Sequence, residues 1–216
     1  FANFKNEMGH GDINGDGTDD LFIGAYGDDQ AGSSAGAAYV FYGSSSWAAS
    51  VDSSSADSTI LGASSSDACG YSTKSVGDLN GDGYEDLGIG CRDAAGGGSS
   101  RGVVGVFLGT STGLSGASLA ITDADATWSG ETDSDDFSVA STVPDPVGTG
   151  YDALLVGAMY EDTAATSSGA VYMFYGSASI SGANSASSAD LKMTGGETYD
   201  YMGYYDLAAG DLNADG

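Results

Sequence analysis

The sequence has few basic residues: 5 Lys and Arg stand against 31 Asp and Glu in 216 residues, which gives a formal net charge of −26. Binding to nucleic acid or to an anionic membrane surface depends on Lys and Arg side chains. No apolar run approaches the roughly 20 residues that a membrane-spanning helix needs. We therefore expect no nucleic-acid partner and no direct membrane insertion, and cations are the natural counterpart of this chain.

Proline, histidine and cysteine are also scarce, with two prolines, one histidine and two cysteines. Helix has little support, because 36 glycines and 41% apolar residues favour short strands joined by many turns.

The chain opens at Phe1 with neither a Met nor the apolar segment of a signal peptide. We therefore expect a mature form or a fragment.

The most informative stretch is residues 11–25, Gly-Asp-Ile-Asn-Gly-Asp-Gly-Thr-Asp-Asp-Leu-Phe-Ile-Gly-Ala. Side chains with oxygen atoms recur along it at Asp12, Asn14, Asp16 and Asp20. Ca²⁺ takes about six to eight oxygen ligands, and alternate residues of a tight loop can direct their oxygens at one centre. An EF-hand would end in a Glu followed by a helix, but here Ile23 lies in a strand-like run. The pattern predicts a calcium loop within a β-hairpin.

The same pattern returns 66 residues later, in residues 77–91. The equivalent oxygen-bearing residues there are Asp78, Asn80, Asp82 and Asp86. A period of this length is typical of a repeat architecture.

Two further copies of the loop are incomplete. The third, in residues 145–158, keeps Asp152 but has Pro146, Val147 and Thr149 in place of the inner ligands, so we expect the hairpin without its metal. The fourth begins at Gly210 and has Asp211, Asn213 and Asp215 before Gly216. We expect an incomplete metal site there, in a sequence that ends inside a repeat.

Each repeat contains four strand signals. An apolar run follows each loop (21–25, 87–91, 153–158), and a stronger run closed by glycine comes next (37–42, 103–108, 170–175). A third run follows (58–62, 126–130, 191–195), and a fourth leads into the next loop (71–76, 137–143, 204–209). Four strands in about 66 residues predict one blade of a β-propeller, built from a four-stranded antiparallel sheet.

Residues 70–90 read Gly-Tyr-Ser-Thr-Lys-Ser-Val-Gly-Asp-Leu-Asn-Gly-Asp-Gly-Tyr-Glu-Asp-Leu-Gly-Ile-Gly, and a later strand reads Val-Tyr-Met-Phe-Tyr-Gly. This pattern resembles the FG-GAP repeat of integrin α-subunit heads and of many bacterial and archaeal surface proteins, over essentially the whole chain. The resemblance implies an all-β, seven-bladed β-propeller, of which about three blades plus one strand are present. The approximate blades are 1–62, 63–130 and 131–195, with a partial blade at 196–216.

The resemblance also implies calcium in the loop that joins the first two strands of some blades. The ligands it implies in the first loop are Asp12, Asn14, Asp16, the carbonyl of Thr18, and Asp20. In the second loop they are Asp78, Asn80, Asp82, the carbonyl of Tyr84, and Asp86. The family's Gly-Ala-Pro triplet reads Gly24-Ala25-Tyr26 and Gly90-Cys91-Arg92 here, so integrin-like ligand specificity does not transfer.

Candidate catalytic residues have simpler interpretations. Residues 32–36 and 98–102 match the Gly-x-Ser-x-Gly elbow, which in α/β-hydrolases lies between a strand and a helix. Here both copies occupy the same connector between two strands, and inheritance through the repeat explains them. The single histidine, His10, is interpreted as a solvated loop residue beside the first metal loop. We therefore expect no enzyme activity.

Carbohydrate-directed chemistry is the other alternative. The acid pairs at 28–29 and 161–162 are interpreted as solvated or metal-adjacent, since glycoside hydrolysis would need two carboxyls across a bound sugar. Trp47, Trp128 and the 13 tyrosines suit sugar stacking or packing between blades, and their place in predicted strands favours packing.

Cys69 and Cys91 flank the hairpin of the second loop. Pairing about this loop places Cys91 nearer to Ser72 than to Cys69, about three residues out of register for a bond. An extracellular protein with two cysteines usually pairs them, so the sequence leaves the disulfide open. The calcium loops, in a chain with two cysteines, indicate an extracellular or cell-surface location.

The sequence thus predicts a non-catalytic, calcium-stabilised extracellular propeller module for adhesion or ligand recognition. Its partner would be a protein or glycan ligand, or further copies of itself. Two alternatives stay open: a structural subunit of a surface layer or filament, and an accessory propeller domain of a secreted enzyme.

Overall fold

A computed structural model describes residues 8–114 and 118–209. Within these residues the chain is all-β, and no helix there is both long and apolar enough to cross a membrane. The strands are β1 (Met8–Gly11), β2 (Asp20–Ala25), β3 (Ala37–Phe41), β4 (Ser58–Leu61), β5 (Cys69–Ser75), β6 (Leu87–Cys91), β7 (Val103–Phe107), β8 (Ser118–Ala120), β9 (Ala126–Ser129), β10 (Phe137–Val143), β11 (Ala153–Ala158), β12 (Ala170–Tyr175), β13 (Gly182–Ser185) and β14 (Leu191–Thr194). Short 3₁₀ helices span Ser53–Ser55, Ile121–Asp123 and Ala186–Ser188.

The strands form three sheets, each built around four antiparallel strands taken in chain order. Sheet 1 contains β1 to β4, sheet 2 contains β5, β6, β7 and β9, and sheet 3 contains β10, β11, β12 and β14. In each sheet the first two strands form a hairpin, and the acidic loop predicted from the sequence joins them. The all-β class and the antiparallel sheets are confirmed, while closure into a propeller and the blade boundaries stay predictions.

Sheets 1 and 2 each gain a fifth, parallel strand that the sequence analysis did not predict. β8 leaves the β7–β9 connector of sheet 2 and pairs with β4 of sheet 1. β13 leaves the β12–β14 connector of sheet 3 and pairs with β9 of sheet 2. Consecutive sheets are therefore joined by main-chain hydrogen bonds as well as by side-chain packing.

The hydrophobic core lies between consecutive sheets. One cluster joins Phe22, Val40 and Ile60 of sheet 1 to residues of sheet 2 such as Leu87 and Ile89. A second cluster joins sheets 2 and 3 through aromatic contacts. Their ring centroids are 5.6 Å apart for Trp128–Phe174 and 5.5 Å apart for Phe137–Tyr172. This packing places the acidic loops of successive sheets side by side.

The strand predicted at 204–209 is wrong, because those residues form no strand. The nearest pairing is an isolated bridge between Met202 and Gly169 of sheet 3. The corresponding strands β1, β5 and β10 each pair with the strand that follows their acidic loop. For residues 204–209 that loop lies outside the described residues, and a strand needs a partner to satisfy its backbone groups.

The two cysteines are joined in a disulfide, which settles the question that the sequence left open. Ser72 pairs with Gly90, one residue before the Cys91 that was expected opposite it, and the register shifts between Ser72 and Cys69. This irregularity lies at Gly70, which has a φ of +77°, and it brings Cys69 opposite Cys91. A bulge of this kind adds residues to one strand only, so counting from the loop gives the wrong partner.

Candidate functional site

The first acidic loop joins β1 to β2 and is shaped by its own side chains. The Asp12 carboxylate accepts hydrogen bonds from the amides of Asp16 at 3.1 Å and Gly17 at 2.8 Å. Asn14 Oδ1 accepts from the Asp16 amide at 2.9 Å, and Asp16 Oδ1 accepts from the Thr18 amide at 2.8 Å. Short polar side chains that bond the amide two residues on stabilise tight turns of this type.

The second acidic loop, between β5 and β6, repeats these contacts. Asp78 accepts from the amides of Asp82 at 3.1 Å and Gly83 at 2.8 Å, and Asn80 Oδ1 accepts from the Asp82 amide at 3.0 Å. Asp82 Oδ1 in turn accepts from the Tyr84 amide at 3.0 Å. The two loops therefore share one backbone arrangement, held by residues of the same type at the same positions.

The last acid of each loop is buried and ties the loop to the end of the third strand. Asp20 accepts from the amides of Ile13 at 3.1 Å and Gly43 at 2.8 Å. Asp86 does the same with Leu79 and Gly109, both at 2.9 Å. These residues were predicted as metal ligands, and the structure gives them a second, structural role that the sequence analysis missed.

Burial raises the pKa of Asp86 to about 7. The amides of Gly109 and Leu79 lower this pKa, while repulsion from Asp78 and Asp82 raises it further. The pKa of Asp20 is raised in the same way, first by burial and then by the charges of Asp12 and Asp16. A bound cation would oppose both effects, because an opposite charge nearby favours the ionised carboxylate.

The third loop, between β10 and β11, is one residue shorter and keeps part of the hydrogen-bond pattern without the inner oxygen ligands. The Asp145 carboxylate accepts from the amides of Thr149 at 2.7 Å and Gly150 at 3.0 Å, as Asp12 does in the first loop. Asp152 accepts from the Asp145 amide at 3.0 Å and from the amide of Asp78, in the second loop, at 2.9 Å. The amide contacts of the first acid in the loop therefore recur without the inner oxygen ligands.

The oxygen atoms of the first two loops are suitable ligands for a hard cation. Carboxylate and amide oxygens are the ligands that Ca²⁺ prefers, and each loop offers three Asp carboxylates and one Asn. Among the described residues no group of three or more acidic, His or Cys side chains is arranged to hold a metal ion. The carboxylates accept loop amides instead. Oδ1 of Asp78 accepts from the amides of both Gly81 and Asp82, whereas the other carboxylate oxygens accept one hydrogen bond each and keep a second lone pair for an ion. Asp211, Asn213 and Asp215, predicted as an incomplete site, lie outside the described residues.

Neighbouring loops also pack against one another through an aromatic ring and a glycine. A Cβ atom added at Gly15 would lie 2.4 Å from a carbon of the Tyr84 ring, and one at Gly81 would lie 2.6 Å from the ring of Tyr151. Each aromatic ring thus covers a glycine of the preceding loop at van der Waals distance. No pattern in the sequence predicts this contact, because the two partners lie more than one strand apart.

The first loop and the strands around it match a known family. The model of the FG-GAP repeat family matches residues 7–41, which include the first acidic loop and β1 to β3. Residues 7–41 are an FG-GAP repeat. No curated protein matches the chain. Sheets 2 and 3 have the same order of hairpin, acidic loop and third strand as this FG-GAP repeat, and the likeness to integrin heads is a general one.

A cleft of about 380 Å³ lies where the FG-GAP repeat meets the other two loops. Its lining residues include His10, Asp19, Glu85, Pro144 and Asp152. The exposed side chains of His10 and Asp19 are joined by a contact of 2.9 Å between Nδ1 and Oδ2. The cleft is therefore acidic and open to solvent, and the His10 ring is hydrogen-bonded to the Asp19 carboxylate.

The Gly-x-Ser-x-Gly serines lie in a recurring turn. Ser34 and Ser100 have φ values of +51° and +48°. Ser167, at the equivalent place in the third repeat but with Ala165 instead of the first glycine, has +49°. All three lie between the second and third strands of their sheets rather than between a strand and a helix. The shared conformation supports the interpretation that the motif is inherited through the repeat.

The acid pairs and tryptophans predicted as sugar-site alternatives are separate from one another. Asp28 accepts a hydrogen bond from the hydroxyl of Tyr39 at 2.8 Å, and Glu161 forms an ion pair with Lys192 at 3.0 Å. Trp128 is buried in the core between sheets 2 and 3, as its strand position predicts, whereas Trp47 is exposed beside Phe41.

Proposed function

We propose that this chain is a non-catalytic, calcium-stabilised β-propeller module that recognises a protein or glycan ligand outside the cell. The observation that carries the proposal is the identical construction of two loops, at Asp12–Asp20 and Asp78–Asp86. Both place carboxylate and amide oxygens on alternate residues of one tight turn. The FG-GAP repeat at residues 7–41 supports a propeller-type module.

Calcium would act on the fold rather than on a reaction. Asp12, Asn14, Asp16 and Asp20 would hold one ion, and their second-loop counterparts another, with the carbonyls of Thr18 and Tyr84 as further ligands. Each ion would neutralise part of the repulsion among the loop carboxylates. Because the last acid of each loop is tied to the third strand, ion binding would also fix the loop against its sheet.

Two observations support an extracellular place. The Cys69–Cys91 disulfide is of a kind that persists in oxidising compartments. Calcium loops on extracellular modules bind with Kd values of roughly 0.1 to 1 mM, which matches the millimolar calcium found outside cells. The acidic surface supports a neutral or basic partner, because a net charge of −26 opposes binding to anionic polymers.

Thermal unfolding with and without calcium tests the proposal. At about 1 mM calcium each loop would add about 0.4 to 1.4 kcal/mol to the free energy of unfolding. Asp16→Asn and Asp82→Asn should each remove the contribution of one loop. Asp19→Asn is the matched control, because it removes the same charge from the same loop without removing a ligand.

We expect calcium to raise the Tm of the parent chain. The rise should be smaller in Asp16→Asn and in Asp82→Asn, and unchanged in Asp19→Asn. An unchanged Tm on calcium addition would contradict calcium stabilisation. An equal loss in Asp19→Asn would show that general charge screening, rather than a site, produces the effect.

A further inference from the structure

The connector that leaves the fourth strand of one sheet meets the next sheet in the same way at both sheet boundaries. Between sheets 1 and 2, Asp67 Oδ2 accepts from the amide of Ser64 at 2.7 Å. Between sheets 2 and 3, Asp135 Oδ2 accepts from the amide of Thr132 at 2.7 Å. Both acids are buried, and the carbonyl of each accepts from an amide two residues past the second strand of the following sheet. The two boundaries therefore contain equivalent sites, each with one buried acid.

The site between sheets 2 and 3 is filled by a lysine of the chain itself. Nζ of Lys192, on β14, lies 2.6 Å from the Glu131 carboxylate and 3.0 Å from the Glu161 carboxylate. It also lies 5.1 Å from the centre of the Tyr172 ring. Glu161 and Tyr172 are almost completely buried. At this boundary the site thus holds an alkylammonium group among carboxylates and an aromatic ring.

The matching positions between sheets 1 and 2 carry small side chains. The correspondence follows from the backbone, because matched residues have the same register in their sheets or the same turn hydrogen bonds. Four small residues replace large or charged ones: Ala63 for Glu131, Ala94 for Glu161, Gly105 for Tyr172 and Thr127 for Lys192. A cavity of about 300 Å³ lies here, and Ala63, Ala94, Thr127 and Asp67 are among the residues that line it.

The cavity combines apolar walls with one buried acid. Val103, Ile121 and Cys91 of the disulfide contribute to the walls, and Asp67 is only 9% exposed. Within the described part of the chain, no ion pair includes Asp67. Burial raises the pKa of Asp67, the amides of its own turn lower it, and the charge of Asp93 raises it again. A cation placed in the cavity would favour the ionised carboxylate and offset the cost of its burial.

We propose that this cavity binds a lysine side chain of a partner protein, with its ammonium group at Asp67 and its alkyl chain along Ile121 and Ala94. The observation that carries the proposal is that the equivalent site, one sheet further along, holds the side chain of Lys192. A cavity of about 300 Å³ is sufficient for one long side chain. Lysine packs its alkyl chain on apolar surface while its charged end is paired, which suits apolar walls with a single acid. The net charge of −26 also attracts a basic partner.

The inference rests on the proposed recognition role and names the chemistry of the partner. The cavity lies where β6 ends at Cys91, whereas the second acidic loop precedes β6. The residues that line the cavity include none of the proposed calcium ligands. Lysine binding can therefore fail while calcium still stabilises the fold, and calcium stabilisation can fail while the cavity still binds lysine.

NMR titration of the chain with Nα-acetyl-lysine methylamide tests the proposal. We expect saturable shifts of the methyl signals of Ile121 and Ala94. Asp67→Asn should weaken binding by about tenfold or more, because the ammonium group loses its counter-charge while the turn keeps an acceptor oxygen. Asp135→Asn is the matched control, since it removes the same charge from the equivalent turn, where Lys192 already fills the site. This control should bind the probe like the parent chain.

The double variant Ala94→Glu, Thr127→Lys copies the filled site into the cavity and should abolish binding. A second measurement needs no variant: Nα-acetyl-norleucine methylamide has an alkyl chain of similar length without the ammonium group and should cause no saturable shift. Equal binding by the parent and Asp67→Asn, or by the lysine and norleucine probes, would overturn the proposal, as would a parent chain that shows no saturable shift. Binding of cadaverine without binding of the lysine probe would also overturn it, because the cavity would then take a free diamine rather than a protein side chain.

Discussion

The carboxylate of Asp152 accepts a hydrogen bond from the backbone amide of Asp78, in the preceding loop, at 2.9 Å. Its other oxygen accepts from the amide of Asp145, in its own loop, at 3.0 Å. Asp78 is the first proposed ligand of the second calcium loop. The third loop, which lacks the inner donors, therefore holds a ligand residue of its neighbour in place.

We expect Asp152→Ala to lower the free energy of unfolding by about 1 to 3 kcal/mol, because it leaves two amides without their acceptor. Calcium affinity of the second loop should fall severalfold, since the Asp78 backbone loses its support, while the first loop is unaffected. Titration of calcium into Asp16→Asn chains with and without Asp152→Ala isolates the second loop.

Asp145→Ala is the control for this variant. It removes two hydrogen bonds within the third loop but none that reaches the second. Equal calcium affinity of the second loop in the parent and in Asp152→Ala would contradict the positioning role.

The disulfide should contribute strongly to stability. It closes a segment with a sequence separation of 22 residues, and a constraint on a loop of that length is worth about 3 kcal/mol in the chain-entropy model. Replacing both Cys69 and Cys91 by Ser should lower the free energy of unfolding by about that amount. Urea unfolding with and without reductant provides the measurement, and two reactive thiols in the denatured, unreduced chain would rule the bond out.

Asp136 should make the fold less stable at neutral than at mildly acidic pH. Burial raises the pKa of Asp136 to about 6, although Arg92 lowers it, and an unfolded Asp titrates near 3.9. Below pH 6 the folded state therefore binds a proton that the unfolded state does not bind until about pH 4. It follows that the contribution of this group to stability increases as the pH falls from about 7 to 4.

We expect Asp136→Asn to stabilise the fold at pH 7.5 by on the order of 1 to 3 kcal/mol, with the gain shrinking towards pH 4. Asn also tolerates the φ of +55° at this position. Urea unfolding across this pH range checks the prediction. A destabilised variant at pH 7.5, or a difference that does not change with pH, would contradict it.

The local features of this fold could be predicted from the sequence. Alternating acids and glycines define each loop, and the buried runs that become β3, β7 and β12 are continuous and apolar. These signals depend on residues that are neighbours in the chain. The bounds of the main strands accordingly agree with the apolar runs to within one or two residues.

Features that depend on distant partners could not be predicted. β8 and β13 are Ser-Leu-Ala and Gly-Ala-Asn-Ser, which have no strand pattern and form strands because an open edge of the preceding sheet lies beside them. The Cys69–Cys91 pairing depends on a register shift, and the cover of Gly15 by Tyr84 joins two loops. Residues 204–209 are the opposite case. They have the sequence pattern of a strand but no neighbouring strand to pair with, and they stay irregular.

The central claim, that two of these loops bind calcium, is tested most directly by diffraction from crystals grown with millimolar calcium. We predict anomalous peaks at the two loops Asp12–Asp20 and Asp78–Asp86, each surrounded by the named carboxylate and Asn oxygens, and no peak at the loop from Asp145 to Asp152. Empty density at both of the first two loops, or an ion held by the third loop instead, would contradict the account.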